Sequence, residues 1–202
     1  MNMSIYRSAL DEALEVLESL QELEAAVNVA AGWCVEALTT GHKLLLCGNG
    51  GSAAEAQHLA GELVGRYTVN RRALPAIALA ADASVLTCIA NDFGFEQVFA
   101  RQVAALASPG DLLVVFSTSG NAPNVLAALE TAKGLGVRSI ALLGSDGGRA
   151  RELAGCPLVV RHRKTARAQE AHQFLIHCLM DRIEDAMATP NSSFRANPER
   201  SL

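Results

Sequence analysis

Aromatic side chains make up only 4% of the 202 residues, and the formal net charge is -4. With few rings to stack on bases and no basic stripe to track a phosphate backbone, the composition argues against nucleic acid as the main partner. The one local basic cluster, "RHRK" at 161–164, is too short to reverse that. No apolar run approaches the ~20 residues needed to cross a bilayer, and no charged-then-apolar leader opens the chain. The expectation is a cytoplasmic protein without membrane contact. Cysteine is too scattered for a disulfide framework. Cys34, Cys47, Cys88, Cys156 and Cys178 are odd in number and mostly set in apolar surroundings, which suits reduced core thiols. No G-K-[ST] sequence occurs, so a nucleotide P-loop is unsupported.

What the chain does have is 50% hydrophobic residues, enough at this length to bury a core without disulfide or metal staples. Residues 4–39 carry apolar positions at helical spacing (Ile5, Leu10, Leu14, Leu17, then Leu23, Val27, Ala30), which predicts one long or two consecutive helices. The pattern then changes. Strand-sized apolar runs at 43–47, 75–79, 111–116, 138–143 and 157–160 are bounded by Gly, Ser, Asp or Pro and do not alternate, as in parallel strands buried on both faces. Helix-length segments near 52–65, 83–105, 121–135, 147–154 and 166–187 separate and follow them. Strand and helix alternate, so the class is α/β, a three-layer αβα sandwich with N-terminal helices. The expected division is one domain over 1–188 and a flexible tail over 189–202, where Pro, Asn, Ser and Arg leave nothing to pack.

Ligands of open parallel sheets bind beyond the carboxyl ends of the strands. "CGNGGS" (47–52) and "STSGN" (117–121) both fall there, so two loops are expected to face one crevice. Gly48, Gly50 and Gly51 permit tight turns and close backbone approach, and Ser52 opens a helix whose free N–H groups attract anions. Ser117, Thr118 and Ser119 add hydroxyls before another helix. "GNGGSA" also fits a relaxed dinucleotide fingerprint, but no acidic residue stands about 20 positions on at a second strand end to take a ribose. A small phosphorylated ligand fits better. His58 and Glu62 share one helical face one turn beyond this loop. Gln169 and His177, on the last helix, differ in direction by about 80° and can reach one site. His42 and His162 are expected at the surface, Trp33 in the core or an interface, and His172 beside the site or in solvent.

"LLCGNGGSAAEAQHLAGELVGRY", "IANDFGFEQVFARQV", "STSGNAPNV", "GSDGG" and "TARAQEAHQFLIH" together resemble the phosphoheptose isomerase family, a branch of the sugar isomerase (SIS) domain superfamily, over roughly residues 5–187. The resemblance implies a flavodoxin-like five-stranded parallel sheet and a homotetramer with active sites at subunit interfaces. It implies isomerisation of D-sedoheptulose 7-phosphate to D-glycero-D-manno-heptose 7-phosphate through an enediolate, the first step toward nucleotide-activated heptose. By motif, Asn49, Gly50, Gly51 and Ser52 match the sugar-phosphate loop, Asn91 and Asp92 a substrate-contacting pair, and Ser117, Thr118 and Ser119 the phosphate hydroxyls. His58, Glu62, Gln169 and His177 match the residues around Zn²⁺ in zinc-containing members, Gln169 also facing substrate, and Glu62 with His177 match the proposed acid–base pair. Two positions depart from the pattern: Ala122 replaces a further phosphate-binding Ser, and 161–170 is more basic than usual. The alternatives are a non-catalytic SIS module binding the replication initiator, or an isomerase or sensor of another sugar phosphate.

Overall fold

Successive side chains of a strand point to opposite faces, and here that parity sorts the core into two halves. The computed structural model describes residues 4–187. In chain order these form α1 (Ile5–Ser19), a 3₁₀ turn (Leu20–Leu23), α2 (Glu24–Thr39), β1 (Leu44–Gly48), α3 (Gly51–Val64), β2 (Ala76–Ala78) and α4 (Ala83–Phe93). A second 3₁₀ turn (Phe95–Gln97), α5 (Ala100–Leu106), β3 (Leu112–Ser117), α6 (Pro123–Gly134), β4 (Arg138–Gly144), α7 (Ala150–Leu153), β5 (Cys156–Val160) and α8 (Thr165–Met187) follow. The strands pair in parallel in the order β2-β1-β3-β4-β5, with Leu44 beside Leu112 and Gly48 beside Phe116. Leu44, Leu46, Val114, Phe116 and Leu142 pack under α2, α3 and α8. Leu45, Cys47, Val115, Ala141 and Leu143 pack against α4, α5 and α6. This is the α/β sandwich expected from the strand and helix alternation.

Several local expectations are corrected. The run at 75–79 yields only a three-residue strand, half-exposed because it lies at the sheet edge rather than between neighbours. The single helix expected over 83–105 is two. Gly94, at φ 89°, ends α4 in a conformation that side-chain-bearing residues rarely adopt, and a 3₁₀ turn re-aims the chain into α5. The segment 147–154 is helical only in its second half, Ala150–Leu153. Residues 4–39 are two helices with a 3₁₀ joint between them. Only Val16 of α1 is buried, and Ile5, Tyr6, Leu10 and Leu14 lie exposed. Among the described residues no helix is long and apolar enough to cross a membrane. The expected tail over 189–202 lies outside the described residues.

One buried ion pair sets the loop that leaves α3. The Glu184 carboxylate, on α8, accepts hydrogen bonds from the backbone N–H groups of Tyr67, Thr68 and Val69 (3.2, 2.9 and 3.0 Å), from the Thr68 hydroxyl (2.6 Å) and from Arg71 Nε (3.2 Å). Arg71 in turn donates to the carbonyls of Glu62 (2.6 Å) and Leu63 (2.9 Å), which the end of α3 leaves without intrahelical partners. Burial pushes the Glu184 carboxyl up, but the donors from Thr68, Val69 and Tyr67 outweigh it and hold the group below the ordinary glutamate range. A depressed carboxyl contributes stability that is complete above the unfolded-state value and is lost as pH falls through the folded one. Glu184→Gln leaves Arg71 buried without its counter-charge and should cost about 3 to 5 kcal/mol. Urea unfolding followed against pH should show that loss near neutrality and a flatter acid limb than the unsubstituted protein.

Candidate active site

The order 2-1-3-4-5 reverses direction between β1 and β3, and the crevice of such a sheet opens at that switch. The loops after β1 and β3 are therefore neighbours. Gly50 turns the first loop at φ 58°, and the Ser52 N–H bonds back to the Asn49 carbonyl at 3.0 Å. The side-chain amides of Asn49 and Asn124 exchange two hydrogen bonds, both 2.8 Å, and so tie the first loop to α6. In the second loop the Ser117 hydroxyl accepts from the Gly120 N–H (3.0 Å) and the Ser119 hydroxyl from the Asn121 N–H (3.2 Å). Each hydroxyl keeps its own O–H free to donate, as an anion requires. Ala122 occupies the N-cap of α6, which consequently has no side-chain cap.

Across the crevice edge α3 lies along α8. Gly51 faces Gln169 so closely that a Cβ there would stand 2.2 Å from the Gln169 amide nitrogen. Farther on, His58 Nε2 is 3.4 Å from Glu62 Oε1 and 3.3 Å from His177 Nε2. Gln173 Nε2 meets the same His177 nitrogen at 3.0 Å. The Tyr67 ring stacks on His177, centroids 5.5 Å apart and planes 24° off parallel. His58 and Tyr67, both more than a hundred residues earlier in the chain, thus converge with Gln173 on one imidazole. Two facing Nε2 atoms can share one proton or turn both lone pairs to a cation. Donors bound tetrahedrally at 2.0–2.1 Å stand about 3.3–3.4 Å from each other, and the His58–His177 and His58–Glu62 spacings match that edge. They do not close into a cage: among the described residues no group of three or more His, Cys, Asp or Glu side chains is arranged to hold a metal.

Asn91 and Asp92 end α4 in solvent, where Asn91 Nδ2 donates to Asp92 Oδ1 at 2.7 Å. No hydrogen bond or ion pair links them to α3 or α8 among the described residues. His172, expected beside the site or in solvent, is wholly buried. Trp33 is half-buried with the Arg138 guanidinium 5.1 Å from its ring centroid. His42 and His162 are half-buried at the surface. Cys34, Cys47 and Cys156 are buried free thiols, Cys178 is intermediate and Cys88 is exposed. Burial pushes the Cys34 thiol up to about 12. Sequence reasoning passed over Asn124, Tyr67, Gln173, Arg71 and Glu184. Only Glu184 left a signal, a carboxylate four residues after buried Met180 on the apolar stripe of α8.

Comparison with known proteins gives a consistent picture. A family model described as "SIS domain" matches residues 8–144. The phosphoheptose isomerase of Citrifermentans bemidjiense is 51% identical over 179 residues, 88% of this chain and 93% of that protein. That of Helicobacter pylori is 49% identical over 180 residues, 89% of this chain and 93% of its own. Among solved structures, the phosphoheptose isomerase of Neisseria gonorrhoeae superposes with a TM-score of 0.84 at 40% identity, covering 89% of this chain and 97% of that one. The Francisella tularensis enzyme gives 0.86 at 36% identity, covering 89% and 96%.

The stacked tyrosine offers a test of this arrangement. Burial raises the Tyr67 phenol, and the negative Asp181 carboxylate raises it further, with Glu62 adding to the effect. Phenolate absorbance should show an alkaline step that Tyr67→Phe removes, and Asp181→Asn should move that step to lower pH. An unmoved step would place Asp181 away from the phenol.

Proposed function

This chain belongs to the phosphoheptose isomerase family of SIS-domain proteins, and we propose that it converts D-sedoheptulose 7-phosphate to D-glycero-D-manno-heptose 7-phosphate. The observation that supports the reading is the convergence of His58, Glu62 and His177 beside two hydroxyl- and amide-bearing loops at the sheet's switch point. The phosphate sits against Ser52, Ser117, Thr118 and Ser119 and the backbone of Asn49, Gly50 and Gly51. Asn91 and Asp92 contact the sugar in the assembled site.

A ketose becomes an aldose when a proton leaves C1, the resulting enediolate passes a proton from O1 to O2, and a proton returns at C2. One group must act as carbon base and another as shuttle between the oxygens. His58 engages Glu62 Oε1, which leaves Oε2 to take the C1 proton and return it at C2. His177 Nε2 carries the proton between O1 and O2, its ring plane held by Tyr67 and its nitrogen approached by Gln173. The His58–Glu62 and His58–His177 spacings suit Zn²⁺ although the three side chains do not close into a cage as placed; the ion would be held by His58, Glu62 and His177, with Gln169 as a weaker fourth donor, and when bound would polarise the carbonyl and hydroxyl oxygens. The exposed apolar face of α1, with Ile5, Leu10 and Leu14 in solvent, supports a homotetramer in which the N-terminal helices pack between subunits. The same reading makes the protein a cytoplasmic biosynthetic enzyme.

Purified protein given sedoheptulose 7-phosphate should form the aldose. Glu62→Gln and His177→Asn should each lower kcat at least about 100-fold while sugar-phosphate binding, read by calorimetry, persists. Full turnover by either variant overturns its role. A wild-type protein that binds the ketose but returns no aldose would instead be a non-catalytic sugar-phosphate module, and turnover of a different ketose phosphate would reassign the substrate.

A further inference from the structure

Two ionisable side chains lie inside the protein without a hydrogen-bond partner, and both sit on the helices that carry the acid–base groups. Glu55, on α3, is 7% exposed and His172, on α8, is wholly buried. His172 Nδ1 stands 3.6 Å from Glu55 Oε2. Neither carboxylate oxygen and neither ring nitrogen has a hydrogen-bond partner among the described residues. The ring of Phe116 tilts toward the imidazole at 6.4 Å between centroids.

Groups of this kind are costly to bury unpaired. Their neighbours along the same seam are apolar: Ala56 and Leu59 on α3, Leu175 and Ile176 on α8. An apolar pair of similar volume would hold the helices together at least as well, as replacements of buried ion pairs generally do. Stability therefore does not account for a glutamate and a histidine here, but position does. Glu55 lies one turn after Ser52 and one turn before His58. His172 lies one turn after Gln169, and Phe116 directly precedes Ser117. The pair is the polar joint of the three elements that carry the phosphate hydroxyls, the base and the imidazole.

We propose that Glu55 and His172 are a positioning pair for the reaction. The His172 Nδ1–H donates to Glu55 Oε2 once the gap closes by roughly half an ångström, to an ordinary N–H···O length. That directional bond fixes how far α8 is advanced along α3, which apolar contacts alone leave free to slide. It thereby sets the spacing between the phosphate loops and the Glu62–His177 pair. The role rests on the isomerase reading of the same crevice, because only a two-centred reaction demands that spacing.

The test compares the wild type with Glu55→Leu/His172→Phe, which fills the joint with carbon. The double variant should melt no lower than wild type, yet its kcat should fall at least tenfold with KM within about threefold. With histidine-selective isotope labelling of the five histidines, the imidazole resonances of His58 and His177 should move. A double variant with wild-type kcat and unmoved resonances overturns the proposal. If that variant does not fold, the wild-type spectrum decides: a His172 ring N–H protected from solvent exchange and coupled to a carboxylate supports the pair, and a rapidly exchanging one overturns it. If wild-type protein does not turn over sedoheptulose 7-phosphate, the isomerase reading fails, and the movement or constancy of the His58 and His177 resonances still decides whether Glu55 and His172 position them.

Discussion

Helix α3 starts at the glycine-bearing loop after β1 and ends past Glu62, and along this length it leans on α8. Its register against that helix is the constraint from which the rest of the site follows. Gly51 meets Gln169, Glu55 meets His172, His58 meets His177, and the loop beyond α3 is gathered by Glu184. Partners advance together along both helices, so the two run in the same direction. The seam is mostly Leu, Ile and Ala, which supplies burial without direction. Direction comes from the few polar contacts, above all the Glu184 carboxylate with its backbone donors and Arg71. Because Arg71 also holds the carbonyls of Glu62 and Leu63, a charge on α8 decides where the end of α3 sits, and with it Glu62.

The sheet supplies the second coordinate. An order of 2-1-3-4-5 sends the chain leaving β1 to one side and the chain leaving β3 to the other, which opens a notch at their carboxyl ends. Both candidate anion loops open into that notch, and the reciprocal Asn49–Asn124 amide bonds stitch them to each other's elements. Precision at the notch thus comes from strands buried at every position rather than from the loops themselves.

Much of this was legible in the sequence. Five unbroken apolar runs alternating with helical segments gave the layered class, and glycine- and serine-bearing turns follow two of them, at the loops that the structure makes neighbours. Two local features were not. Gly94 splits the helix expected over 83–105, although the hydrophobic periodicity runs on through it, because periodicity reports which face is apolar and not where the backbone turns. The edge strand β2 is shorter than its apolar run, since exposure depends on having a neighbour and not on composition. Within the site, the spacing of His58 and Glu62 was readable from one helix, whereas Tyr67 and Asn124 reach their partners only through tertiary packing and leave no trace in local pattern. His172 could be read as standing beside the site or in solvent, and its place four residues after buried Ala168, on the inward stripe, excludes the second.

The parity of the strands has one more consequence. Val114 and Phe116 belong to one half of the core and Val115 to the other, with an uninterrupted backbone layer between them. A gain of volume on one side cannot be relieved by a loss on the other, so compensating changes must arise within the same half. The layer under α4, α5 and α6 can therefore drift in sequence over generations while the layer under α2, α3 and α8, whose helices carry His58, Glu62 and His177, evolves on its own clock.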